Sequence, residues 1–326
     1  MEGRMIRFIA FLSIAGFATN AFGANPESSP TSQGNATLAG ASQHQGSSDM
    51  GARLVAEAPA SWKRYLTIAQ QSEGDYEFDS RASVNGKIYD EGGCGTFALN
   101  KTMAKIGRGK DKDNFMVLNP QYQFSVARDR KNGDWFLKSY DPFSPPWQPP
   151  RDFIGGNTKG EGLLTGEKNA FGNAMGIACQ GMLICGVYLP RLFVAPGFTL
   201  KQVVPVGDNR KLAKIDYEFD PRDIRYPLRG GTFILDPECF WLIREAKYRL
   251  EWPDEKKIGN VHKIEEYGTA GKFPYVKKST SHMSWATPDG TKCEDDSIWK
   301  STVRTPDHMD ERQFTLSGFG MKEPGK

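Results

Sequence analysis

The chain has 326 residues, 38 % hydrophobic and 12 % aromatic, enough to bury a sizeable core in one large domain or two ordinary ones. Its 42 Lys and Arg against 39 Asp and Glu leave a formal charge of +3, and the two signs are interleaved along the chain. A nucleic-acid partner, which calls for a basic stripe or arm, is therefore not expected. Arg108, Lys110 and Lys112, broken by Asp111 and followed by Asp113, read as a solvated loop.

Residues 1–23 carry Arg4 and Arg7, an apolar run from Phe8 to Ala18, and small residues at Ala21 and Gly23. This is the pattern of a cleavable signal peptide cut after Gly23, which predicts export to the periplasm or beyond. The apolar run is shorter than the roughly twenty residues that cross a bilayer, so no stable membrane span is expected in the mature chain. Residues 24–50 are mainly Ser, Gln, Gly, Asn, Ala and Thr. Such a segment buries too little to offset its conformational entropy and is read as a disordered leader. Residues 51–326 are read as one β-rich domain.

Trp62, Tyr65, Leu66 and Ala69 recur at helical spacing behind Ser61, a candidate N-cap, and predict an amphipathic helix. Short alternating runs follow: Tyr76 and Phe78, Thr96 to Leu99, Phe115 to Leu118, Tyr122 to Val126 and Trp135 to Tyr140, with Asn85-Gly86 and Asn132-Gly133 as turns. Pro142, Pro145, Pro146, Pro149 and Pro150, then Gly155, Gly156, Gly160 and Gly162, read as a stiff surface connection. Between residues 163 and 189 apolar residues with helical or mixed spacing are interrupted by Gly172, Gly176, Gly181 and Gly186, which predicts one helix or two short ones packed on the sheet.

Strands resume after Pro190. Ala213, Ile215, Tyr217 and Phe219 alternate with polar residues, and Gly231 to Trp252 reads as a long hairpin around Asp236-Pro237-Glu238. Its second strand places Phe240, Leu242, Tyr248, Leu250 and Trp252 on one face, and Glu245, Lys247, Arg249 and Glu251 on the other. Val261, Ile264 and Tyr267 form another run. A long polar strand from Phe273 to Trp285 then precedes the turn at Pro288-Asp289-Gly290, and Phe314, Leu316 and Phe319 close the chain. The count is roughly ten to twelve strands.

No phosphate-binding loop, dinucleotide fingerprint, nucleophile elbow or zincin motif is present. His44, His262, His282 and His308 are scattered, so neither a metal nor another cofactor is expected; His262 and His282 read as ordinary strand residues. Of five cysteines, Cys94, Cys179, Cys185, Cys239 and Cys293, the odd count leaves at least one free or paired between chains. Cys179 and Cys185 can pair only if their helix breaks near Gly181. Cys94, in Gly92-Gly93-Cys94-Gly95, is the one candidate nucleophile and has no flanking motif, so an enzyme is not the expected reading.

The Asp236-Pro237 turn running through Trp241 and Arg244 into a strand ending at Trp252, and the closing segment FTLSGFGMKEP from Phe314 to Pro324, resemble the bacterial lipoprotein-carrier superfamily of Lol-type half-barrels. The order of signal peptide, helix, meander, helical insertion and second meander is similar too, over residues 55 to 324. The resemblance implies a mostly β (α+β) fold: a large curved antiparallel sheet or half-barrel, covered by an N-terminal helix and a helical insertion. It also implies a concave apolar cavity for an acyl chain, lipid or lipoprotein, lined by Phe240, Leu242, Tyr248, Leu250, Trp252, Tyr217 and Phe219. The alternative is an envelope protein–protein interaction module in which the same residues form a solid core.

Overall fold

The computed structural model describes residues 49–149, 169–220, 227–251, 257–286 and 290–324. The expected signal peptide, most of the leader, Pro150 with the glycines after it, residues 163–168 of the insertion, Trp252 and Pro288-Asp289 lie outside the described residues.

The first helix, α1 (Asp49–Ala69), starts well before the expected cap at Ser61 and contains Pro59. An interior proline removes one backbone hydrogen bond and costs about 3 kcal/mol. The helix continues because Met50, Leu54, Ala58, Trp62, Tyr65, Leu66 and Ala69 form one buried stripe along it. Trp62 Nε1 donates to the Trp241 carbonyl at 3.1 Å, and the Tyr65 ring stacks on Phe273 at 4.8 Å. Packing on the sheet thus outweighs the local breaker.

The sheet is built from two meanders. The first is β1 (Gln71–Val84), β2 (Lys87–Asn100), β3 (Met103–Arg108), β4 (Asn114–Leu118), β5 (Tyr122–Arg128) and β6 (Trp135–Pro142). Between the meanders lie α2 (Ala170–Ala178), the two-residue strands β7 (Leu183–Ile184) and β8 (Val187–Tyr188), and α3 (Leu189–Phe193). The second meander is β9 (Phe198–Val206), β10 (Leu212–Phe219), β11 (Leu228–Asp236), β12 (Leu242–Glu251), β13 (Lys257–Ala270), β14 (Phe273–Ala286) and β15 (Lys292–Arg304). Strands β1–β6 and β9–β15 form one 13-stranded sheet, with β1 paired to β15 at its centre and β6 and β9 at its open edges. Every neighbouring pair is antiparallel. The mostly β fold with helices laid on one large sheet is as expected, and the described sheet does not close.

Two strands of the large sheet escaped the sequence reading. Strand β3 ends in Arg108, at the start of what read as loop, and β15 buries Cys293, Asp295, Ser297, Trp299, Ser301 and Val303 in strict alternation. Four of those six are small or polar, so hydrophobicity does not mark the strand. The insertion is helical as expected at α2, but from Leu183 to Tyr188 it forms the small β7–β8 hairpin, and the second short helix, α3, starts only at Leu189. Asn169 Oδ1 caps α2 by accepting from Gly172 N at 2.9 Å, and a 3₁₀ turn at Gln180–Met182 breaks the chain at Gly181. The break that disulfide formation required is present, yet Cys179 and Cys185 are not bridged.

We call the face that packs against these helices the inner face. On the opposite face, Phe314 and Leu316 pack with Val117, Phe124 and Val126 as a second, smaller core, held by the Asn119 amide donating to the Phe314 carbonyl at 2.9 Å.

Candidate functional site

Five of the seven residues expected to line a cavity are fully within the core of the inner face. Tyr217, Phe219, Leu242, Tyr248 and Leu250 are buried there. Tyr217 stacks on Phe233 at 4.2 Å and on Phe198 at 5.5 Å, while Phe193 of α3 lies against Phe233 at 6.4 Å. Gly231 stands in register between Tyr217 and Tyr248, with φ at 155°, and a Cβ there would sit 1.9 Å from the Lys247 carbonyl oxygen. Only glycine lets the backbones of β11 and β12 approach so closely at that point.

Phe240 is placed differently. The strand begins only at Leu242, and Phe240 and Trp241 occupy the turn with φ of 54° and 56°. Phe240 lies under α1, its ring 4.6 Å from the Arg64 guanidinium and 5.7 Å from the Tyr65 ring. The turn itself is organised by Asp236. Its Oδ1 accepts from Glu238 N at 3.0 Å and Cys239 N at 3.2 Å, and its Oδ2 from Arg244 Nε and Nη2 at 3.0 and 2.6 Å. The Asp-Pro motif that drew notice in the sequence is thus a structural anchor. Trp252 lies outside the described residues.

The strand registers expose an arrangement that hydrophobic patterning had hidden. A single row of directly paired residues crosses the inner face: Val203, Ile215, Phe233, Ala246, His262, Ser281, Ser297, Ser80 and Glu91. Its first four members are apolar and its last five are polar. The change falls between β12 and β13, and four strand spacings beyond it give a polar band about 19 Å long. Ser80, Ser281 and Ser297 are buried, as are Asn260, Asp295 and Trp299 in the rows on either side. Ser80 Oγ donates to Asp295 Oδ1 at 2.7 Å and Ser281 Oγ to Asn260 Oδ1 at 3.2 Å. Trp299 stacks on Tyr76 at 5.3 Å with the rings nearly parallel. Burial lowers the pKa of His262 to about 4, so its imidazole is neutral at pH 7.

Among the buried polar atoms of the inner face without a hydrogen-bond partner in the described residues are Tyr217 Oη, Asn260 Nδ2 and Trp299 Nε1. Each such atom costs about 1–3 kcal/mol. Tyr217 lies on the apolar side; the two orphaned donors, Asn260 and Trp299, flank the polar band. Sequence reasoning passed over the band because it sought apolar alternation. The readable signal was small polar residues alternating with charged ones in KCEDDSIWKSTVR. His262 pairs with Ser281 rather than with His282, which places the two histidines on opposite faces.

Elsewhere, a groove of about 1160 Å³ runs along β1 and β2 and includes Cys94, Asp75, Asp79, Arg108 and Lys112. Cys94 pairs across with Glu77, and none of the described residues lining the groove is a histidine, so no imidazole base adjoins the thiol there. The glycines around Cys94 have a packing role. A Cβ on Gly93 would come within 2.6 Å of the Phe78 ring, which lies across that position. Among the described residues no cluster of three or more His, Cys, Asp or Glu is arranged to hold a metal, and no helix is long and apolar enough to cross a membrane. No disulfide joins any of the five cysteines, and burial pushes the Cys185 thiol up to about 12 and Cys239 up to about 11.

No family model matches the chain, and no curated protein matches it. Among solved structures it is similar to a DUF1329 family protein from Desulfovibrio piger, at 10 % identity and a TM-score of 0.31 over 81 % of this chain and 99 % of that one. It is likewise similar to a LolA superfamily protein from Nitrosomonas europaea, at 8 % identity and a TM-score of 0.35 over 78 % of this chain and 98 % of that one.

Proposed function

We propose that this chain is an exported, non-catalytic binding protein that takes an amphiphile bearing an acyl chain on the inner face of its sheet. One observation carries the reading: the row from Val203 to Glu91 is itself amphiphilic, apolar over β9–β12 and polar over β13–β2. A core that served only to hold the fold together gains nothing from burying a strip of serines, and burial of polar groups costs free energy unless they are bonded. Tyr217, Phe219, Leu242, Tyr248 and Leu250 supply the apolar side, with Phe240 at its margin under α1. Export rests on the basic and apolar pattern of residues 1–23, and the single β-rich domain on the one 13-stranded sheet that β1–β6 and β9–β15 build.

Titration with a fluorescent fatty acid, together with native mass spectrometry of protein purified without detergent, tests this. Saturable uptake with a one-to-one adduct is expected. A bare protein mass and no fluorescence change at micromolar probe would end the carrier reading.

A second reading is favoured by the edge strand β6, which leaves Phe136, Leu137 and Tyr140 exposed at 50, 44 and 37 %. An open apolar edge is a template for another strand, which fits an envelope protein partner. Pull-down from envelope extracts separates the two: a carrier returns lipid, and an interaction module returns a stoichiometric protein.

A further inference from the structure

We infer that the polar band receives an uncharged, hydroxyl-rich head group, a sugar or a glycerol, belonging to the amphiphile whose chain lies over β10–β12. This rests on the binding reading above and adds the chemistry of the ligand's other end.

The argument is one of matching charges, donors and acceptors. Neither the five polar residues of the row nor Ile264, Ser279, Trp299 and Phe78 beside them includes a Lys or Arg, and the same holds for Asn260, Met283, Asp295 and Ala82 on the other side. Asp295 and Glu91 bring carboxylates instead. A phosphate or carboxylate head would meet like charge and find no cation within the band or the rows directly beside it; the nearest, Arg108, lies a row further out in the groove along β2. A quaternary ammonium head would suit the carboxylates and the Tyr76–Trp299 stack. It has no acceptor for Asn260 Nδ2 and Trp299 Nε1, the two buried donors left without partners among the described residues. A hydroxyl both donates and accepts, so a polyol can donate to the carboxylates while accepting from the amide and the indole. Neutral His262 and the hydroxyls of Ser281, Ser297 and Ser80 extend the same two-way bonding along the band. Because the serines are buried, a head group reaches them only when the packing above them opens.

The test compares four probes by calorimetric titration of the full mature chain, all below their micellar concentrations: decyl glucoside, decanoate, decyltrimethylammonium and free glucose. Decyl glucoside is expected to bind about tenfold more tightly than either charged probe, and glucose alone not measurably. In the double variant Asn260→Leu/Ser281→Ala, and separately in Ser297→Val, the advantage of the glucoside over decanoate should fall to about one, with the urea midpoint of each variant reporting that it folds. Decanoate or decyltrimethylammonium matching the glucoside, or variants that keep its advantage, would overturn the inference while leaving the binding reading in place. Free glucose binding as tightly as decyl glucoside would make the band a site for soluble sugar and overturn the amphiphile. Binding of no probe at all would remove both readings.

Discussion

The two halves of one inner face are built on opposite rules. Over β10–β12 large side chains interlock: Tyr217 lies flat on Phe233, Gly231 lets the β11 and β12 backbones close up beside it, and Phe193 closes the stack from α3. Over β13–β15 and β1 the equivalent positions hold His262, Ser281, Ser297 and Ser80, and two donors beside them are left without partners. The first half has the density expected of a core. The second gives up stability that a core would normally gain, and sacrifices of that kind concentrate where a protein must bind something.

Substitutions should therefore act in opposite directions on the two sides. The largest effect is expected from Phe233→Ala, which empties the centre of the aromatic stack and should cost about 4 kcal/mol in urea denaturation. A loss below about 1 kcal/mol would mean that this half is not solidly packed. Asp236→Ala, which releases Arg244 and two turn amides at the same end of β12, should cost about 2 kcal/mol, discounted because Arg244 is partly exposed.

Acid provides a test confined to the polar side. Burial lowers the pKa of His262 to about 4, below the ordinary imidazole value near 6.5, so the folded state binds fewer protons than the unfolded one between those limits. The contribution is complete above pH 6.5 and is lost as pH falls toward 4. Comparing unfolding free energies of the protein and its His262→Gln variant across that window should show about 2 kcal/mol of additional acid sensitivity in the former. Parallel profiles would place His262 in contact with solvent. The smallest effect carries the opposite sign. Asn260→Leu/Ser281→Ala removes the orphaned amide together with the group bonded to it, and should leave stability unchanged or raise it by about 1 kcal/mol. A clear loss would show that the band is there for the fold.

The same contrast explains what could be read from the chain beforehand. Strands β10 and β12 were visible because their inner residues are large and apolar against charged outer ones, and α1 because its stripe keeps helical period from Trp62 onward. The start of α1 was hidden by Pro59, whose local penalty is overridden by tertiary packing. Strand β15 was hidden because its inward positions are Cys, Asp, Ser, Trp, Ser and Val, which no hydrophobic alternation reveals. Of the candidate site, the apolar residues were legible and the polar ones were not. The registers that align His262, Ser281, Ser297 and Ser80 join strands distant in sequence, and a local pattern carries no information about them.

The central claim is that one amphiphile lies across the boundary between β12 and β13. Photo-crosslinking reads this directly, with two versions of decyl glucoside carrying a diazirine either at the chain terminus or on the sugar, followed by peptide mapping. Chain-terminal adducts are expected on peptides of β10–β12 and sugar adducts on peptides of β13–β15. Identical peptides for both probes, or adducts confined to the outer face, would contradict the division of the sheet on which this account depends.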